Sequence, residues 1–272
     1  MPIARVQHVP FWNDLSPLTC CHHWDDSGTA TLYNTGCGVT LQLKDYQHVP
    51  SVYGGPLVGT YHLHRVNFHW GPDNENGAHH LIGDTPCAME IHATYYNSCC
   101  DFPLRRVSSM SEMSSWAVIG MRFAVGARNN AFRTIAQSVQ SIKEPGSSTT
   151  VKYDYLSWLK RPRMDRYYLT YISELQDSSR VTWIIYDEPN TISKAQVDVF
   201  RTVLKDDRTP MIEKNRLDRI LVTLLAALLW SLYGGTDYAK KPESYSQAAA
   251  GRHRQLAVNV NNRQRHVMPF AE

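Results

Sequence analysis

At 272 residues, with 43% hydrophobic and 19% charged side chains, the chain has the composition of a globular protein with a real core, which argues against disorder. A balance of 28 basic against 25 acidic groups, net +3, is too even for a nucleic-acid-binding surface. The excess sits in residues 239–272, where Lys240, Lys241, Arg252, Arg254, Arg263 and Arg265 face only Glu243 and Glu272, and we read it as a solvated tail. The cysteines, Cys20, Cys21, Cys37, Cys87, Cys99 and Cys100, form two adjacent pairs and no Cys-x-x-Cys repeat, so neither a zinc finger nor a disulfide framework is expected. The start of the chain lacks a basic stretch followed by an apolar one, and no Asn-x-Ser/Thr acceptor occurs; both features point to the cytoplasm.

Strand signals fill the first two-thirds. Residues 29–43 (TATLYNTGCGVTLQL) alternate around an Asn-Thr-Gly turn, as a hairpin does. Residues 60–70 and 88–96 are two further extended runs, joined by the polar connection 71–86. The run at 116–125 (WAVIGMRFAV) is almost continuously apolar, as a central strand buried on both faces would be, and 181–186 (VTWIIY) is similar. Helical spacing places Phe132, Ile135, Val139 and Ile142 on one face of 130–142; Ser193 and Gln196 occupy capping-box positions at the head of a second helix over 193–204. A run of 14 uncharged, mostly apolar residues opens at Ile220 and closes at Tyr233, short of the ~20 that a bilayer core requires. It predicts a buried helix, with membrane association the disfavoured alternative. The sum is a β-rich α/β protein with a mostly antiparallel central sheet and a few peripheral helices, because the strands lack regular crossover helices.

Twelve histidines are many for this length, and their placement carries information. By simple alternation Arg65, Asn67 and His69 share one face of their strand, while His62, His64 and Phe68 share the other. If the next strand pairs antiparallel, Asn67, His69 and His92 converge. Three imidazoles in that arrangement would make a catalytic zinc site, but the first position here is Asn. Sheet histidines are also commonly hydrogen-bonded core or surface residues, and the pattern alone leaves both readings open.

The runs GGPLVGTYHLHRVNFHWG (54–71), ENGAHHLIG (75–83) and AMEIHATYYN (88–97) resemble the core signature of the α-carbonic anhydrases, whose zinc strand reads Phe-His-Phe-His-Trp and whose neighbouring strand reads Glu-Leu-His. Pro2-Ile3, LYNTG (32–36), YYLTY (167–171), VTWII (181–185), VFRTVL (199–204) and Asn261-Asn262-Arg263 resemble further family segments in the same order. The resemblance implies a twisted sheet of that family's type over residues 1–205 and 256–272, shortened at the N-terminus. Residues 206–255 would be an insertion carrying the apolar helix candidate.

It also implies a site, and the departures bear on it. The family's three zinc ligands fall on Asn67, His69 and His92, so His69 and His92 are the remnant pair. Arg65 stands where the family has Gln. The family's Ser-Glu-His is Ala78-His79-His80 here, which removes the carboxylate that orients a threonine hydroxyl. Residues 172–180 (ISELQDSSR) lack the family's Thr and Pro pairs, and Cys37 replaces its proton-shuttle His. Glu90 persists at the position that orients the third histidine.

Zinc-hydration chemistry needs a metal, an oriented nucleophile and a proton exit, and the pattern departs at all three. The expectation is therefore an acatalytic carbonic anhydrase-related protein with weak or absent zinc, working by binding an unidentified protein or small anion and no nucleic acid. The alternative is a residual zinc-dependent carbonate dehydratase in which Asn67, a water or His79 completes a site with His69 and His92. A third reading lines a metal-free, anion-binding pocket with Arg65, His69, His79 and His92.

Overall fold

The computed structural model describes residues 17–25, 28–80, 82, 86–99, 114–152, 154–160, 168–175, 179–186 and 188–212, all within the first of the chain's two compact units, Met1–Ala227. The expectations for Pro2-Ile3, the run 220–233, the insertion beyond residue 212, Asn261-Asn262-Arg263 and the basic tail lie outside the described residues.

In chain order the elements are β1 (Leu18–Cys21), β2 (Thr29–Asn34), β3 (Val39–Lys44), β4 (Ser51–Gly54), β5 (Tyr61–Trp70), β6 (Met89–Asn97), β7 (Trp116–Val125), α1 (Arg133–Val139), β8 (Ser148–Val151), β9 (Tyr168–Glu174), β10 (Arg180–Tyr186), β11 (Asn190–Ile192) and α2 (Lys194–Phe200). The strands form one sheet in the order β8-β2-β3-β5-β6-β7-β10-β9, with β4 on β5, β1 on β4 and β11 on β7. Pairing is antiparallel except where β10 and β11 run parallel to β7. The fold is thus β-rich and mostly antiparallel, as the sequence predicts.

The Asn-Thr-Gly turn joins β2 to β3 with Asn34 opposite Val39. Asn34 is buried and anchors the turn: its Nδ2 donates to the carbonyls of Lys143 and Leu204, each at 3.0 Å, and its Oδ1 accepts from Gly36 N at 2.9 Å. Gly36 has φ +80°, a left-handed conformation that side chains rarely adopt, so the backbone favours glycine.

One face of the sheet carries the core. Phe68 meets Phe132, Trp158 and Phe200, with ring centroids 6.2, 6.4 and 5.6 Å away, and Trp70 meets Phe200 at 5.3 Å. The Trp70 indole also donates to the Met211 carbonyl at 2.8 Å, so residues just past α2 pack onto the same layer. Helix α1 contributes Ile135 and Val139 to this layer, and α2 contributes Val197 and Phe200. Ser193 and Gln196 form the capping box at α2, which ends at Phe200 rather than at 204. The first predicted helix is divided: a 3-10 turn, Asn130–Phe132, capped by the Asn129 side chain, leads into α1, which stops at Val139.

A β-bulge between Leu63 and Arg65 corrects the simple alternation read along β5. Tyr61 and Leu63 lie in the core, and so do Val66, Phe68 and Trp70. His62 therefore shares the face of Arg65, Asn67 and His69 instead of opposing it. His64 sits at the bulge, its ring 5.5 Å from Trp116.

Candidate metal centre

The face opposite the core is where the chemistry-bearing residues gather. Strands β5 and β6 place Asn67 opposite His92 and His69 opposite Glu90; β7 adds Gly120 opposite His92 and Arg122 opposite Glu90. Side-chain alternation puts all of these on one side of the sheet. A Cβ on Gly120 would fall 2.5 Å from Ile185 Cδ1, 3.3 Å from Glu90 Oε1 and 3.7 Å from His92 Cδ2. Glycine at that point leaves room for the carboxylate and the imidazole.

The loop between β5 and β6 brings in His79 and His80, and it is tied down on both sides of His79. Gly77 N donates to the Cys87 carbonyl at 2.8 Å, and a Cβ on Gly77 would collide with the Ala88 carbonyl at 1.7 Å. Two residues beyond Ala78, His80 N donates to Glu90 Oε2 at 2.8 Å. His79 is held between these anchors with its ring centroid 4.2 Å from that of His69 and 5.3 Å from that of His92. His69 and His92 are 4.5 Å apart by the same measure.

Glu90 is the hub behind this cluster. Its Oε1 accepts from His80 Nδ1 and, at 2.7 Å, from His92 Nε2; His80 Nε2 in turn accepts from the Tyr171 hydroxyl at 2.7 Å. Burial alone would push Glu90 up, but the two histidines and their hydrogen bonds hold its carboxyl well below the usual range, so it is an anion. For His92, burial acts first, reinforced by His69 and opposed by Glu90, and brings the imidazole down to about 3. His92 is therefore neutral at ordinary pH. With Nε2–H given to Glu90, Nδ1 is the nitrogen left with a lone pair.

Trp183 closes one wall, its ring 5.1 Å from His92 and 5.3 Å from His80, and stacks on Tyr171 at 5.7 Å.

The sequence-predicted residues thus fall in different places. His69, His79 and His92 come together, each with a ring nitrogen within 4.8 Å of the others. His80, Glu90 and His92 form a second such group. Asn67 turns toward β3, where its Oδ1 accepts from Thr40 Oγ1 at 3.1 Å. Arg65 and Cys37 are exposed, Cys37 in the hairpin turn with its Sγ 3.5 Å from Thr35 Oγ1. Tyr171, Trp183, Gly120 and Arg122 were not singled out from the sequence. Arg122 alone carried a usable signal, a single charge inside an apolar strand; it is buried, and its guanidinium donates to the Ile82 carbonyl at 3.3 Å.

The family model for eukaryotic-type carbonic anhydrase matches residues 3–220. The chain belongs to the carbonic anhydrase family. Among its curated relatives, mitochondrial carbonic anhydrase 5A of Homo sapiens is 28% identical over 212 residues, covering 76% of this chain and 68% of that protein. The same enzyme of Rattus norvegicus is 27% identical over 197 residues, covering 71% of this chain and 63% of that protein.

Carbonic anhydrases are normally zinc proteins, and the donors here can be tested against such an ion. A tetrahedral zinc site with Zn–N bonds of ~2.0–2.1 Å sets its nitrogens ~3.4 Å apart. Donors of His69, His79 and His92 lying within 4.8 Å of one another are near that spacing, and neutral imidazole is a suitable ligand type. The set fits.

Proposed function

We propose that this carbonic anhydrase has kept the family's sheet and given up CO2 hydration, and that it acts by binding. The observation that carries this reading is His79. The position that the resemblance assigns to the orienting carboxylate is an imidazole, turned into the histidine cluster 4.2 Å from His69. Zinc supplies hydration chemistry by lowering the pKa of a bound water, but the reaction also needs a hydroxyl aligned by a carboxylate acceptor. A second feature supports the same conclusion. Strands β9 and β10 pair all the way to Glu174 opposite Arg180, a short hairpin in the stretch where the family carries its Thr-Thr-Pro-Pro loop.

The occupant expected under this reading is a small anion or a protein partner that meets the open face near Arg65, which is exposed. The cytoplasm remains the proposed compartment. The five described cysteines are all free thiols, as a reducing compartment favours, although the matched relatives carry mitochondrial names.

Stopped-flow CO2 hydration on the purified full chain, with zinc supplied, tests the reading. The expected rate is the buffer background, with or without a sulfonamide. A rate well above background that a sulfonamide suppresses would overturn it and favour a residual carbonate dehydratase. The observation on that side is the count of imidazoles, which is still three.

A further inference from the structure

We propose that the chain holds a zinc ion on His69, His79 and His92, with His79 replacing from the loop the strand ligand absent at Asn67. The exchange is spatial as well as numerical. Asn67 is a strand residue on the cluster face, yet its side-chain carbonyl is engaged by Thr40 Oγ1 at 3.1 Å on the side away from β6. His79 approaches from the loop side with its ring tilted against that of His69, centroids 4.2 Å apart, so the third imidazole enters from a new direction while the other two keep their strand positions.

Three properties make this arrangement a built site. The loop carrying His79 is fixed at Gly77 by the Cys87 carbonyl and at His80 by Glu90, so the ligand is positioned before any ion arrives. His92 is oriented by Glu90, which takes Nε2 and leaves Nδ1 for the centre, and Glu90 is itself held by His80. The donors are all nitrogen and none is a carboxylate, a set that selects zinc or cobalt(II) over magnesium or calcium. The nitrogens, within 4.8 Å of one another, need only a modest inward movement to reach the ~3.4 Å spacing of tetrahedral zinc.

This proposal goes beyond the loss of hydration and does not rest on it. Zinc bound without hydration satisfies both readings. A sulfonamide-sensitive hydration rate overturns the reading above and leaves this site standing, whereas absence of zinc overturns this site and leaves that reading standing.

The test uses the full chain, stripped with a chelator, reloaded with Zn2+ or Co2+ and dialysed. Metal content is measured by elemental mass spectrometry, affinity by competition with a chromophoric chelator, and geometry by the visible spectrum of the Co2+ form. We expect about one ion per chain and the intense visible bands of a tetrahedral Co2+ site. His79→Ala should weaken Zn2+ binding by at least ~100-fold, and Asn67→Ala by less than ~3-fold. Adding Asn67→His to the His79→Ala chain should restore affinity to within ~10-fold, which separates ligand loss from loop damage. Should His79→Ala not fold, by near-ultraviolet circular dichroism, His79→Gln takes its place. The proposal is overturned by a wild-type chain that retains no zinc. It is equally overturned by a folded His79 variant that binds as tightly as wild type, or by an Asn67→Ala loss that matches the His79 loss.

Discussion

His23 offers a test of the structure far from the histidine cluster. It follows β1, is 4% exposed, and is held by two hydrogen bonds: Nδ1 donates to the Cys21 carbonyl at 2.9 Å, and Nε2 accepts from the Tyr95 hydroxyl at 2.9 Å. That network is complete for the neutral ring. Burial, only partly offset by the bond to Cys21, lowers the imidazole from 6.5 to about 4. The unfolded chain therefore binds a proton that the folded chain refuses. Its contribution to stability is fully present above pH 6.5 and is lost as pH falls toward about 4. With 1.36 kcal/mol per pKa unit, the loss is about 1.4 kcal/mol at pH 5.5 and about 3 kcal/mol at pH 4. Urea unfolding of wild type and His23→Gln across this range isolates the term. The variant should start less stable at pH 7.5, since it gives up the ring's hydrogen bonds, yet fall with pH by about 1.2 kcal/mol per unit less than wild type between pH 6 and 4.5. Parallel pH curves for the two proteins, or an NMR titration of His23 near 6.5, would refute the argument.

Two further outcomes follow from packing and from the buried carboxylate. Phe132 is fully buried among Phe68, Phe123 and Phe200, so Phe132→Ala should cost about 3–5 kcal/mol in denaturant unfolding; a loss under ~1 kcal/mol would contradict the aromatic layer. Glu90→Gln preserves shape but removes the charge and sets its amide hydrogens against either the His80 backbone N–H or the two imidazole donors, and should cost about 3 kcal/mol, read as a lowered urea midpoint at pH 7.5; an unchanged midpoint would mean that Glu90 does not hold all three donors.

The long strands could be read from the sequence because they carry long apolar periods: β5, β6, β7 and β10 lie where alternation or a continuous apolar run put them. Strands β1, β4, β8 and β11 have only three or four residues each, too few to show a period. Simple alternation puts His62 on the wrong face because a bulge leaves no mark in an alternating pattern until the pairing is known. The site divides the same way. Neighbouring-strand residues such as His69 and His92 were placed by pairing alone. The tie between His80 and Tyr171 spans 91 positions and follows from tertiary structure, and so does the approach of His79 to His69.

The substitutions at Asn67 and His79 gain meaning when taken together. By the resemblance, one takes an imidazole from the strand and the other puts one in the adjoining loop in place of the orienting carboxylate, and three imidazoles, His69, His79 and His92, still cluster. If the two proposals hold, metal retention and hydration are separable in this chain, and reversing both substitutions measures by how much. The double variant Asn67→His, His79→Glu restores the family's residue at each place. It should bind zinc to within ~10-fold of wild type, because three imidazoles remain available in either arrangement. It should still hydrate CO2 poorly, since the restored carboxylate meets a β9–β10 hairpin without the family's paired threonines. Hydration rising steeply in that variant would show that the carboxylate alone was limiting, and that the rebuilt hairpin is compatible with turnover.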